Sequence, residues 1–362
     1  MRNIDTNAHI LDQVGNADLL RLSRFLLSDA SRPLIAIGSG GSESAARLAA
    51  LFYGAHGGVA TAVSPYTFNS FSDEALATAK ILLLSKGGHN NDIVYASRHS
   101  LRVNHNGTAA INFSDGERNV VRDIFQKSGS DQAFLIPVDG IGNGFVSTGT
   151  SVAWFALLTR LFQPDVDLGK YKSCPETPFS LVRNGGFPLD PAELGSVKNY
   201  VILHGSWGMP VAYNLEGKLV ETGLACACIC DYRNYCHGRF IYTSNHLNDS
   251  AVILLVTPRE RRIVQRTRNF LPAATKLVII ETGYDAPEAS LDLLMRVKGF
   301  FDALCAATGA DPIRPSNPGH IDKRVPIWTP FIDDLKRNGP LFREPRPLQS
   351  QGTEGSDQRG PH

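Results

Sequence analysis

Residues 33–44 read Pro33-Leu34-Ile35-Ala36-Ile37-Gly38-Ser39-Gly40-Gly41-Ser42-Glu43-Ser44. The stretch Pro33 to Ile37 is a continuous apolar run, the pattern of a strand covered on both faces of a parallel sheet. The run ends in glycines, and residues 45–57 (AARLAALFYGAHG) then read as a helix stopped by glycine. The same succession of strand, turn and helix returns at 79–84, where Ser85-Lys86-Gly87-Gly88-His89-Asn90-Asn91-Asp92 leads into IVYASRHSLRVN. Further apolar strands are expected at 108–113 and 133–138. Four such strands separated by helical stretches predict a right-handed, doubly wound α/β domain over residues 30–165.

Working outward, residues 8–29 place Leu11, Val14, Leu19, Leu20, Leu22, Phe25 and Leu26 at helical intervals, so residues 1–29 are expected to hold an N-terminal helix. Residues 166–198 are rich in Pro, Gly and charge without a sustained period, and read as a linker. A second series then begins, with strands at 200–204, 226–230, 251–256 and 276–281. A Gly205-Ser206-Trp207-Gly208 turn opens a helix candidate at 209–223, and further helices are expected near 259–271 and 290–307. The chain is thus expected to be α/β, two similar halves at 30–165 and 199–330, followed by a polar tail at 331–362 that is partly disordered.

Lys and Arg number 36 against 35 Asp and Glu, a net charge of +1, and 43% of residues are hydrophobic. A duplex-binding face needs clustered positive charge, so nucleic acid is not expected as a partner. No stretch approaches the roughly 18 uninterrupted apolar residues that span a bilayer. The start, MRNIDTNAHILDQVGN, lacks a secretory signal, so no membrane association and a cytoplasmic location are expected. Six cysteines are too few for a disulfide scaffold, and reduced thiols are expected. Cys226, Cys228, Cys230, Cys236 and His237 crowd together, but alternation along a strand does not give the paired ligands of structural zinc. Buried thiols are expected there instead. Glu281, Asp285, Glu288 and Asp292 also give no ligand set, and neither a metal nor an organic cofactor is called for.

A strand leading through glycines into a helix offers free N–H groups and the positive end of the helix dipole, which together suit a phosphate. The turn around Gly40, Gly41 and Ser42 meets that need. It is not a dinucleotide fingerprint, because Glu43 stands where the third glycine would fall, and it has no G-K-[ST]. A plain tight turn is the other reading. The turn Ser85–Asp92 falls at the carboxyl edge of the sheet, where open α/β sheets bind ligands. There Ser85 and Asn90 can donate hydrogen bonds and Lys86 can supply charge. A solvated loop is the alternative.

The order of these motifs resembles the sugar isomerase, or SIS, family of phosphosugar-binding domains. The tandem form is seen in the isomerase part of glucosamine-6-phosphate synthase and in free-standing sugar-phosphate deaminases and deglycases. The resemblance covers residues 30–328: the G-S-G-G-S turn, the S-x-x-G-x-x-x-D turn at Ser85–Asp92, and Val146-Ser147-Thr148 opening a helix. To these it adds Leu215–Glu221, Cys236-His237-Gly238, and Gly309 through Asn317 to Asp322-Lys323-Arg324-Val325. It implies two SIS domains in tandem with five-stranded parallel sheets. It implies that Ser42, Ser85, Lys86, Gly87, Gly88 and Asn90 surround the phosphate of a sugar phosphate, with Gly40, Gly41, Ser147 and Thr148 around the sugar. The chain departs from the usual S-x-S-G-x-[ST] turn at Gly87 and Asn90, which removes or changes two donors.

Lys218 and Glu221 lie three apart in a helix-like segment and so share one face. A carboxylate can carry a proton between two carbons without leaving the complex, and an imidazole works as acid or base near neutral pH. The resemblance implies that Glu221 moves a proton between C1 and C2 of the sugar, that His237 assists ring opening, that Lys218 orients substrate or stabilises developing negative charge, and that Lys323 closes over the sugar. On their own, Lys218 and Glu221 make an ordinary surface ion pair, His237 a loop histidine and Lys323 part of a basic tail. The family also implies a homodimer in which the histidine of one subunit completes the site of its neighbour. The expected activity is that of an aldose–ketose isomerase or a deaminase/deglycase of a sugar or amino-sugar phosphate. With no glutaminase segment and its leading cysteine after Met1, a synthase is not expected. A non-catalytic phosphosugar sensor acting through a protein partner is the alternative.

Overall fold

The computed structural model describes residues 4–113, 119–142 and 144–315, which belong to one compact unit. The expected N-terminal helix is two: α1 (Ile4–Asn16) and α2 (Leu20–Leu27). The break falls after Gly15 and Asn16, where the Leu20 amide turns to Asp18 Oδ1 at 3.0 Å. Arg160 donates to the Val14 carbonyl at 3.0 Å, supplying a partner that the end of α1 lacks.

The first sheet follows with β1 (Leu34–Gly38), α3 (Gly41–Ala55), β2 (Ala60–Val63), α4 (Pro65–Phe68) and α5 (Asp73–Thr78). It continues with β3 (Lys80–Ser85), α6 (Asn91–Val103), β4 (Thr108–Asn112), α7 (Val120–Lys127) and β5 (Ala133–Leu135). Its order is β2-β1-β3-β4-β5, and every pairing is parallel. β1, β3 and β4 are buried throughout, as their unbroken apolar character requires. β2 escapes a reading by hydrophobic runs because Ala60-Thr61-Ala62-Val63 is a short, partly exposed edge.

Helix α8 (Thr148–Phe162) leaves the carboxyl edge of this sheet and runs almost wholly buried, with the Trp154 and Phe113 ring centroids 4.1 Å apart. The segment at 166–198 is more than a linker. It holds two 3-10 turns and β6 (Ser180–Arg183), which pairs antiparallel with a strand of the second sheet. Arg183 pairs with Glu193 at 2.5 Å, and the Asn184 amide donates to the Arg268 and Leu271 carbonyls at 2.8 and 2.7 Å. These bonds hold a strand too short and too polar to read from its pattern.

The second sheet comprises β6, β7 (Asn199–His204), β8 (Cys226–Asp231), β9 (Ser250–Val256) and β10 (Lys276–Glu281). Its helices are α9 (Met209–Glu221), α10 (Tyr232–Asn234), α11 (Phe240–Asn245), α12 (Arg261–Arg268) and α13 (Ala289–Thr308). The order is β6-β10-β9-β7-β8, so the expected all-parallel sheet is a mixed one with an antiparallel edge. β8 forms the other edge, which exposes Cys226 and Cys228 and buries only Cys230; the expectation of three buried thiols is corrected accordingly. All six cysteines are free.

Three apolar clusters fill the molecule. The largest lies between the sheets and takes side chains from α1, α3, α8, α9 and α13. The second covers the outer face of the first sheet under α6 and α7, and the third covers the outer face of the second sheet with Tyr232, Tyr235 and Val264. Each fully buried Leu, Val or Phe stabilises the fold by about 1.5–3 kcal/mol relative to exposure, so the shared inner cluster is what ties the two sheets into one body. Among the described residues no helix is long and apolar enough to cross a membrane.

Candidate active site

In the first sheet the chain goes from β1 outward to β2 on one side and returns to β3 on the other. An open α/β sheet has its crevice at such a reversal, beyond the carboxyl ends of the strands. The Ser39-Gly40 and Lys86–Asn90 turns both leave the sheet here, and a cleft of about 650 Å³ opens between them. The first turns of α3, α6 and α8 converge on it, each presenting the positive end of a helix dipole.

The sheet-to-helix turns are tight. A Cβ on Gly38 would lie 2.2 Å from the Ser42 carbonyl oxygen, so α3 can start this close to β1 only over a glycine. Ser42 and Glu43 spend their amides on the Ser39 and Gly40 carbonyls at 3.1 and 2.9 Å. The buried Ser42 side chain still borders the cleft, as do Gly40 and Gly41. Ser85 Oγ accepts the Gly88 amide at 3.2 Å, an arrangement that leaves its own O–H to donate. Asn90 caps α6 by accepting the Asp92 amide at 2.8 Å, which leaves its NH₂ group for a ligand. Lys86 Nζ donates to the Gly142 carbonyl, and desolvation holds its pKa below the ordinary lysine range.

Gly88 and Thr148 do not form part of the wall. Gly88 instead has φ +63°, and a Cβ there would stand 2.0 Å from Asn119 Oδ1 and 2.6 Å from Asn112 Oδ1. Gly88→Ala is therefore expected to lower stability by about 1–3 kcal/mol through backbone strain and crowding; a denaturant midpoint equal to wild type would contradict this. Ser147 reaches the cleft, but its hydroxyl is spent on the Ile141 carbonyl at 2.5 Å and Thr150 Oγ1 at 2.6 Å.

The opposite wall is α9. Asn214, Lys218 and Glu221, spaced by four and three residues, face the cleft together. The buried Lys218 Nζ donates to Ser151 Oγ at 3.0 Å and to Asn214 Oδ1. Asn214 donates in turn to Ser151 Oγ at 2.9 Å and Ser44 Oγ at 3.2 Å. Burial lowers the Lys218 pKa to about 7, with Glu221 opposing that shift. Glu221 lies at the rim; desolvation, reinforced by Glu216, pushes its carboxyl above the usual range against the pull of Lys218. Glu216 is raised as well, by desolvation and then by Glu43, whose own carboxylate pairs with Arg47 at 2.6 Å. The Arg47 guanidinium sits 3.5 Å from the Tyr213 ring centroid.

His237 is not brought into this cleft. It is exposed in a turn whose neighbours Tyr232 and Tyr235 pack on the outer face of the second sheet, whereas α9 packs on the inner face. Its ring borders a separate cavity beside α12. Lys323 lies outside the described residues. Sequence reasoning missed Ser44, Ser151, Asn214 and Glu216; only Asn214 carried a signal, four residues ahead of Lys218. The described residues hold no group of three or more His, Cys, Asp or Glu side chains able to hold a metal ion.

The corresponding crevice of the second sheet, between β7 and β9, is filled. Glu260 Oε2 accepts the Thr257 amide at 3.0 Å, and a Cβ on Gly205 would lie 2.0 Å from Glu260 Oε1. A carboxylate packed there closes this edge to an anion.

No family model and no curated protein matches the chain. Solved structures do match in fold. Tagatose-6-phosphate ketose/aldose isomerase from Escherichia coli has a TM-score of 0.64 at 16% identity, over 88% of this chain and 94% of that one. The C-terminal domain of glucosamine-fructose-6-phosphate aminotransferase from Francisella tularensis gives 0.63 at 10% identity, over 86% and 95%. Glucosamine-6-phosphate deaminase from Thermotoga maritima gives 0.60 at 14% identity, over 88% and 96%. At these identities the likeness is one of fold.

Proposed function

We propose that this chain is a tandem SIS protein that isomerises or deaminates a sugar phosphate. The observation that carries the reading is the meeting, in one cleft, of three helix N-termini with the Lys218 and Glu221 face of α9. Ser42, Ser85, Asn90 and Lys86 bind the phosphate, and the glycine amides at 40 and 41 approach it closely. The sugar extends toward α9. Glu221 takes the proton from C2 of the open-chain sugar and returns it to C1 as the O2 hydroxyl proton passes to O1, while the Lys218 ammonium stabilises the enediolate formed between the two steps. A carboxyl raised above the ordinary range by desolvation is a better proton acceptor than one in water, which suits the role.

In this reading the protein is cytoplasmic and a homodimer, the exposed His237 of one copy entering the cleft of the other. The departures at Gly87 and Asn90 favour one other reading, a sensor that binds the sugar phosphate without turning it over. Thermal-shift screening with hexose and hexosamine 6-phosphates, followed by proton NMR of the hits, separates the two. A stabilising phosphosugar that exchanges its C2 hydrogen or changes its carbonyl position supports the enzyme. Stabilisation without conversion supports the sensor, and no stabilisation by any phosphosugar rejects both.

A further inference from the structure

The cavity beside α12 measures about 570 Å³ and borders Arg233, Arg259, Arg262, Arg266, His237 and Phe270. No carboxylate lines it. Of its arginines only Arg259 is paired among the described residues, to Asp285 at 2.9 Å. The guanidinium groups of Arg233, Arg262 and Arg266 have no hydrogen bond or ion pair among the described residues. Arg262 and Arg266 are four apart on one face of α12, where like charges repel and destabilise a helix. Nearby arginines are treated differently: Arg261 pairs with Glu281 at 2.7 Å and Arg268 with Asn184 at 3.2 Å. Three unpaired guanidinium groups thus border one cavity.

Its floor is apolar. Ile263 and Cys236 also line it, and the Phe270 ring, 53% exposed, stands tilted against Phe240 with centroids 5.8 Å apart. The volume falls within the roughly 300–1,000 Å³ of small-molecule sites and exceeds what a single phosphate fills. Guanidinium forks suit phosphate oxygens, and an exposed aromatic face suits a planar ring.

We propose that this cavity binds a nucleoside di- or triphosphate, its phosphates held by Arg233, Arg262 and Arg266 and its base against Phe270. Within one chain the site shares no residue with the sugar-phosphate cleft, and its three arginines take no part in the reading of that cleft. The test is calorimetric titration of the full chain with ATP, GTP and inorganic tripolyphosphate at low salt, with unliganded melting curves confirming that each variant is folded. The wild type is expected to bind a nucleoside triphosphate more tightly than tripolyphosphate. The double variant Arg262→Ala/Arg266→Ala is expected to bind it at least about tenfold more weakly, the loss of charge-assisted hydrogen bonds. Phe270→Ala brings the nucleotide down to the tripolyphosphate level, and Lys86→Ala in the other cleft leaves binding as in the wild type. Any of three results overturns the proposal: no binding of nucleotide at millimolar concentration, undiminished binding by the double arginine variant, or loss of binding in Lys86→Ala instead.

Discussion

Glu221→Gln is expected to turn over its sugar phosphate about 10²–10⁴-fold more slowly than the wild type, the range for removing a general base. Binding is expected to survive, because Ser42, Ser85 and Asn90, the residues proposed to hold the phosphate, line the cleft on elements other than α9. The amide keeps the size of the side chain and removes only its capacity to accept and return a proton. Exchange of the C2 hydrogen, followed by proton NMR, is the direct measurement; exchange at the wild-type rate would rule Glu221 out as the proton carrier. The same variant tests the second copy. His237→Ala is also expected to be impaired, and mixing the two variants regains turnover when an intact histidine meets an intact glutamate in one cleft. Absence of recovery would confine His237 to the arginine cavity of its own chain.

Lys218→Met is expected to lose turnover and gain stability. The ammonium is buried in a network with Ser151 and Asn214, and the pKa of about 7 means that folding pushes against its charge. The unfolded chain holds this proton to about pH 10.4, the ordinary lysine value. Between about 7 and 10 the unfolded state therefore binds more protons, and the contribution of Lys218 to stability rises with pH across that window and is at its poorest below it. Methionine removes the charge at nearly constant volume, so an increase of about 1–2 kcal/mol at pH 7 is expected, a stability gain at the expense of a working side chain. Chemical denaturation at pH 7 and pH 9 checks this: the advantage of the variant narrows at the higher pH. In the wild type, kcat/KM is expected to fall as pH rises through about 7 and the ammonium is lost. A melting point below wild type would show that the hydrogen bonds of the amine outweigh the cost of burying it.

What was legible in the sequence was what repeats. The apolar run into Gly38 and the run into Ser85 announce buried parallel strands because both faces of β1 and β3 are covered. β2 and β6 stayed hidden because an edge strand of four residues needs no hydrophobic pattern; hydrogen bonds to neighbours distant in the chain supply its stability. In the site, that Lys218 and Glu221 share a face followed from helical spacing; that this face borders a cleft came only from the resemblance. The Ser44, Ser151 and Asn214 network followed from neither, since its members sit 63 and 170 residues apart in the chain and meet only where α3, α8 and α9 pack. His237 shows the opposite limit. Its distance along the chain from Glu221 says nothing about which face of the second sheet its loop will cover, and the buried Tyr232 and Tyr235 anchor that loop on the outer one.

Helix α9 begins at Met209 beyond the filled crevice of the second sheet and ends at Glu221 in the open cleft of the first. Over 13 residues it spans about 20 Å as a rigid rod. It acts as a ruler. Inserting or deleting one residue between Met209 and Lys218 would swing the last turn about 100° around the helix axis and shift it about 1.5 Å along it, carrying Glu221 off the cleft while the strands on either side stay in place. The placement of Glu221 therefore depends on the length of this segment more strictly than on its composition. The exposed Val220, half open to solvent one position before Glu221, is free to change to any helix-forming residue.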